Sequence, residues 1–226
     1  MNYKTPFYYR FRGFILGTLA LALIITPGAR FAFLEEKLFV ILPYSENSMA
    51  ISSAPIVAWL AASAILFSAG VALRIGARRY IGEHSRGNMH DANELVTEGP
   101  YALIRHPLYT SNLYIAISFI SFHLGPTPLS LPFLFAVTLF EAKLSRAEDR
   151  FLQGKFGDAW KNWASTTPAF LPKLKIAGKR HDAAPLSSAS PVKNAKRTYL
   201  QAFCADWSTW AWLAFFNLVL VLLKVH

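Results

Sequence analysis

The 226-residue chain has a single cysteine, Cys204, so no internal disulfide can form and no thiolate cluster can bind a metal. Charge is scarce too: 16% of residues are charged, with only 13 Asp and Glu against 23 Lys and Arg. A typical soluble domain carries about 25% charged residues. This shortfall, with 54% hydrophobic residues and a positive mean hydropathy, excludes an ordinary soluble domain and suits one membrane domain. The chain has no internal repeat, which removes solenoid and array architectures. Between Gly178 and Asn194 Ala, Pro, Ser and Lys replace aromatics, and that stretch reads as a linker. Cys204 is expected to be a small buried residue rather than an acylation site.

Long apolar runs are present in place of charge. A helix needs roughly 18 to 20 apolar residues to cross a hydrocarbon core about 30 Å thick. Phe11 to Thr26 qualifies, stretching to Ala32 across Pro27-Gly28, as does Ala54 to Ile75. Leu108 to Leu144 is too long for one span and is divided by Gly125-Pro126-Thr127-Pro128, the pattern of a helical hairpin with a tight turn. Trp207 to Val225 begins in Trp and ends in Leu and Val, as an interface-anchored span does. Five spans result. Basic residues precede Phe11 to Ile25, but no small-residue cleavage site follows it, so a retained anchor is expected rather than a signal peptide. Between Arg30 and Ser53 apolar and charged residues mix too closely for a span, and a short interfacial helix is expected.

Basic residues collect on the cytoplasmic side of membrane proteins. With the N-terminus inside, twenty of the 23 basic residues fall on that side, twelve of them between Lys143 and Arg197; only Arg30, Lys37 and Lys224 fall outside. The C-terminus then lies on the opposite side. The net charge of +10 is thus mainly a topology signal, with attraction to anionic lipid headgroups second. Nucleic acid is not an expected partner, because the basic residues abut spans and accompany no recognition motif.

Against this background, Gly99-Pro100-Tyr101 and Arg105-His106-Pro107-Leu108-Tyr109 crowd breakers and charge just before a span. Gly99 allows a turn or close approach, and Pro107 suits the first helical turn. A helix N-terminus attracts anions through free amides and its dipole, and an adjacent arginine adds to this; a carboxylate or phosphate would sit well there. Taken alone, Arg105-His106 also reads as a snorkelling pair at a helix end. Some forty residues on comes Glu148-Asp149, then Leu152, Phe156 and Gly157, followed by Trp160, Trp163 and Phe170-Leu171-Pro172. An acidic pair among Lys and Arg is, alone, an ordinary salt-bridged helix surface. His84, His90, Asp91 and His106 lack metal-ligand spacing and read as solvated loop residues. His123 reads as an interface residue near the outer turn.

Together the two segments resemble the paired signature of the isoprenylcysteine carboxyl methyltransferase and phospholipid N-methyltransferase superfamily of integral membrane enzymes. The likeness covers roughly residues 54 to 174. It departs at Ser111, where Gly is common, at Asp149, where a second Glu is usual, and at Trp160 and Trp163, where tyrosines are frequent. The family arginine one turn before the acidic pair has only Lys143 or Arg146 as counterparts. The resemblance implies S-adenosylmethionine as cofactor, with Gly99, Pro100, Tyr101, Arg105, His106, Tyr109 and Glu148 in its site. Glu148 is expected to face a cationic group of that cofactor, and His106, Tyr109 and Glu148 are the candidate catalytic groups. No metal is expected.

The expected fold is all-α: a polytopic membrane protein of about five transmembrane helices, with a helical hairpin and a cytoplasmic cofactor-binding segment. Residues 1–53 would form the N-terminal anchor and outer interfacial segment, 54–175 the methyltransferase-like core, 176–206 a cytoplasmic linker and 207–226 the last span. The substrate would be a lipophilic small molecule or lipid. Two rival readings are an NADPH-dependent enzyme resembling the sterol reductases, against which Pro107 and Leu108 argue, and a non-catalytic membrane scaffold.

Overall fold

The computed structural model describes residues 6–26, 54–81, 92, 94–125, 127–172 and 196–225, and among them every regular element is a helix. The expected interfacial helix at 30–53, the linker residues 176–195, and His84, His90 and Asp91 lie outside the described residues. The helices are α1 (Phe7–Arg10), α2 (Arg12–Ile25), α3 (Ala54–Arg78), α4 (Pro100–Leu103), α5 (Pro107–Leu124), α6 (Ser130–Phe156), α7 (Asp158–Thr166), α8 (Tyr199–Cys204) and α9 (Trp207–Val225).

Breakers set the boundaries of the long hairpin. Pro107 opens α5 in its first turn, where its missing N–H costs nothing. At the far end Gly125 takes φ 63°, a left-handed conformation that lets the chain reverse before α6 begins at Ser130.

Packing aligns the ends of the helices. α3 lies along α5, and Gly70 makes the approach possible: a Cβ there would stand 2.9 Å from Ile115 Cγ1 and 3.1 Å from the Ser111 carbonyl oxygen. Small residues permit such backbone proximity between apolar helices. Two hydrogen bonds fix the register, Ser118 Oγ to the Ser63 carbonyl at 2.6 Å and Trp59 Nε1 to the Ser121 carbonyl at 3.1 Å. Bonds of this kind contribute about 0.6 kcal/mol each in apolar surroundings, so they select alignment more than they supply stability. At the same end, Leu23 of α2 packs with Ile120 and Leu124 of α5 and Val137 of α6. The opposite end gathers the start of α2, the end of α3, the start of α5, the end of α6 and the start of α9, through contacts given below.

Length and apolarity single out one helix among the described residues, Val57–Arg78 within α3, as able to cross a membrane. The expectation of five spans is thus not carried by these criteria. The physical reasons are local: α2 has 14 residues, or roughly 21 Å at 1.5 Å per residue. α5 is punctuated by Thr110, Ser111, Asn112, Ser118 and His123, and the second half of α6, from Glu141 to Lys155, is charged.

Three further outcomes concern side chains. Cys204 is exposed, contrary to expectation, because the short helix α8 buries Ala202, two positions away on the opposite side. His123 is buried, its ring edge-on to Phe119 at 4.3 Å. Inside the expected linker, Thr198 and Gln201 form a capping box that starts α8, and α8 packs on α3.

Candidate functional site

Gly99 adopts φ 60°, ψ −130°, a combination that strains any residue with a Cβ. The Tyr80 ring occupies the space that a Cβ would take. Gly99 is therefore required by the packing of Tyr80 as well as by the turn into α4. After one helical turn the backbone extends at Ile104 and runs beside 167–170, where Arg105 N–H donates to the Pro168 carbonyl at 2.8 Å and His106 N–H to the Ala169 carbonyl at 3.1 Å. Thr110 Oγ1 donates to the His106 carbonyl at 3.0 Å. These bonds hold Arg105 and His106 at the head of α5. Tyr101 is buried with Ala77 and Trp163, and its carbonyl accepts from Trp163 Nε1 at 3.3 Å.

Two polar groupings converge here. In the first, Asp149 of α6 bridges the motif: its Oδ2 lies 3.3 Å from an Arg105 terminal nitrogen, and its Oδ1 lies 3.0 Å from His106 Nε2. The His106 contact has ion-pair distance but not hydrogen-bond alignment, since both of its atoms lack a hydrogen-bond partner. Arg105 also lies over the Trp160 ring, 5.5 Å from its centroid. His106 is 3% exposed, so it is not the solvated residue expected of it, and its ring neighbours Tyr109 at 5.6 Å and Phe170 at 5.9 Å. In the second grouping the Tyr109 hydroxyl is hydrogen-bonded to both Glu148 and Tyr9. Tyr9, Tyr109 and Leu144 form one buried cluster, flanked by Phe140 and Phe170. Burial, reinforced by the Glu148 charge, pushes the phenols of Tyr9 and Tyr101 above their ordinary value, so both remain donors.

An apolar pocket of about 240 Å³ is lined among others by Leu73, Pro100, Leu103, Ile104, Phe170 and Pro172. Phe170 and Thr110 are shared between the pocket and the polar groupings.

Deeper between the helices a second polar chain runs Glu141–Asn112–Arg74–Asp206. Asn112 donates to Glu141 Oε1 at 3.1 Å, Arg74 donates to Asn112 Oδ1 at 2.5 Å and to Thr209 at 3.0 Å, and Asp206 Oδ2 faces Arg74 Nε at 2.8 Å and Arg78 Nε at 2.9 Å. Burial alone would raise the Asp206 carboxyl, but the two guanidiniums hold it below the usual carboxylate range. Residues 196–197 extend this attachment: Lys196 pairs with Glu98 at 3.3 Å, and Arg197 and Arg79 exchange two bonds at 3.1 Å.

The sequence expectations thus divide. Gly99, Pro100, Tyr101, Arg105, His106, Tyr109 and Glu148 come together around the head of α5 and the end of α6. Glu148 faces two tyrosines, while Asp149, noted above only as a departure, serves Arg105 and His106. Tyr9, Arg74, Asn112, Glu141 and Asp206 were not singled out. Arg74 and Glu141 had a signal, since each interrupts an apolar run, and ionisable residues in such runs carry function.

Residues 65–153 match the isoprenylcysteine carboxyl methyltransferase (ICMT) family. The resemblance carried by the motifs is thereby borne out. Over 84 residues, 37% of this chain, it is 38% identical to the cobalt-zinc-cadmium resistance protein CzcN of Cupriavidus metallidurans, covering 38% of that protein. Over 85 residues it is 34% identical to the nickel-cobalt-cadmium resistance protein NccN of Alcaligenes xylosoxydans, covering 39% of it. The chain therefore spans well under half the length of either relative in these matches. No solved structure matches it. The ICMT-matched segment runs from within α3 to near the end of α6, so it contains Arg105, His106, Tyr109, Glu148 and Asp149 but not Tyr9, Trp160, Phe170 or Asp206.

The residues present suit S-adenosylmethionine. Arg105 Nε, His106 Nε2, Asp149 Oδ1 and Trp160 Nε1 are buried polar atoms without hydrogen-bond partners, gathered in one place. Such groups are costly unless satisfied, and the set offers donors for a carboxylate and an acceptor for an ammonium.

Proposed function

We propose that this chain transfers a methyl group from S-adenosylmethionine to a lipophilic acceptor at the cytoplasmic face of a membrane. The single observation that carries this reading is the junction at Phe170 and Thr110, where a cluster of unsatisfied polar atoms meets an apolar pocket. The cofactor supplies an electrophilic methyl on a sulfonium. Arg105 and His106 would hold the carboxylate, and Glu148 and Asp149 would face the cationic groups. In-line displacement needs placement above all, and the backbone bonds at 104–106 provide a rigid frame for it. An amine acceptor requires a base within hydrogen-bond reach, for which Glu148, paired with Tyr109, and His106 are the available groups; a carboxylate or thiolate requires none.

The membrane arrangement belongs to the same proposal: α2, α3, α5, α6 and α9 as five alternating spans, with the N-terminus cytoplasmic. It is supported by the alternation of helix ends, starts of α2, α5 and α9 meeting ends of α3 and α6 at the site. Outward-facing Ile65, Phe135 and Trp212, each more than half exposed, give apolar surface to lipid. The relatives are named for resistance to metal cations. If this chain serves that end, methylation of a membrane component is the route its site supports.

The test is calorimetric titration of detergent-solubilised protein with S-adenosylhomocysteine, beside NADPH, repeated on His106→Ala and Glu148→Ala. Micromolar binding of the former, abolished by the substitutions, is expected. Binding of NADPH alone would move the protein to the reductases, and binding of neither would leave a scaffold.

A further inference from the structure

Tyr9 lies in α1, outside the segment that matches the ICMT family, yet it is 8% exposed and reaches the centre of the site. Its hydroxyl bonds that of Tyr109, which bonds Glu148. The chemistry of the groups orders this chain. An ionised carboxylate can only accept, so Tyr109 must donate its one proton to Glu148, and the Tyr109 oxygen is then left to accept from Tyr9. Tyr9 is itself braced: the Arg12 guanidinium lies 4.4 Å from its ring centroid and donates to the Tyr9 carbonyl at 3.3 Å.

We propose that Tyr9 is a positioning residue for the Tyr109–Glu148 pair, so that the N-terminal helices complete a cation-recognition site begun by the family segment. Tyr9 commits the Tyr109 hydroxyl to Glu148. The carboxylate is thereby held in one orientation, with its remaining lone pairs directed to an ammonium or sulfonium cation. This inference rests on the donor-site reading above and adds to it a residue and a ligand chemistry. It also implies that the segment 65–153 would not bind at full strength without α1.

The experiment titrates S-adenosylhomocysteine, whose ammonium the site would hold, into the full chain and into Tyr9→Phe, Tyr109→Phe and the double variant, with melting temperatures measured on each. Loss of one bond in a network to a charged group predicts about tenfold weaker binding for Tyr9→Phe, with its melting temperature near that of the parent. Because Tyr9 acts through Tyr109, the double variant should bind no more weakly than Tyr109→Phe alone. Unchanged affinity in Tyr9→Phe, or losses that add in the double variant, would overturn the inference while leaving the donor site standing. Absence of binding to the unaltered chain would overturn both. Should Tyr9→Phe melt below the assay temperature, Tyr9→His replaces it, keeping a ring and a donor: retained affinity supports the donor role, and loss equal to that of Glu148→Ala refutes it.

Discussion

Asp206→Asn should be the most damaging neutral-for-charged exchange at the start of α9. The carboxyl is 3% exposed and holds two guanidiniums on one oxygen, at 2.8 and 2.9 Å, with side chains only 9% and 12% exposed. Removing one member of a buried ion pair costs about 3–5 kcal/mol, mostly because the other charge is left uncompensated. Two features place the loss near the lower bound. Arg74 keeps its bonds to Asn112 and Thr209, and an asparagine oxygen can still accept one bond. A loss of about 3 kcal/mol corresponds to a fall of roughly 6–12 °C for a chain of this size, read by circular dichroism during thermal unfolding in detergent. The pH dependence supplies a second reading. Because the folded state holds this carboxyl below its ordinary value, its stabilisation is complete above the unfolded value of about 3.9 and is lost as pH falls through the lower folded value. The parent should therefore lose stability in that acid range, and Asp206→Asn should lose less of it. A fall of under about 2 °C, or an acid limb identical to the parent's, would refute the assignment of the Arg74–Asp206–Arg78 contacts as the attachment of the C-terminal helices.

Gly99→Ala should cost about 1–3 kcal/mol in backbone strain and displace Tyr80, lowering both melting temperature and S-adenosylhomocysteine affinity in the same titration. Trp163→Phe removes the 3.3 Å bond to the Tyr101 carbonyl and part of a buried ring, and should cost about 2 kcal/mol, visible as a drop in melting temperature. The Asp158–Lys161 pair is 87% and 58% exposed, so Asp158→Ala should move melting by no more than about 2 °C; a larger fall would show that α7 depends on its first-turn charge.

Much of the architecture follows from local physics that any reader of the chain can apply. Gly125 divides the 108–144 run because an L side chain resists φ 63° there, and Pro107 opens α5 because its absent N–H is unneeded at a first turn. Arg105, His106 and Tyr109 can be found because their spacing at a helix start is itself chemical information. The partners of these residues are a different matter. Glu148 and Asp149 are adjacent on α6, and helical geometry turns them about 100° apart, so one meets Tyr109 while the other meets Arg105 and His106. Only the rotation of α6 against α5 decides which does which. Tyr9 and Asp206 lie nearly two hundred residues apart, and neither has a neighbour in sequence that reveals its partner. Their roles arise from the gathering of alternate helix ends at one level, which long-range packing alone brings about, through the close approach at Gly70 and the buried contacts of α2, α5 and α6.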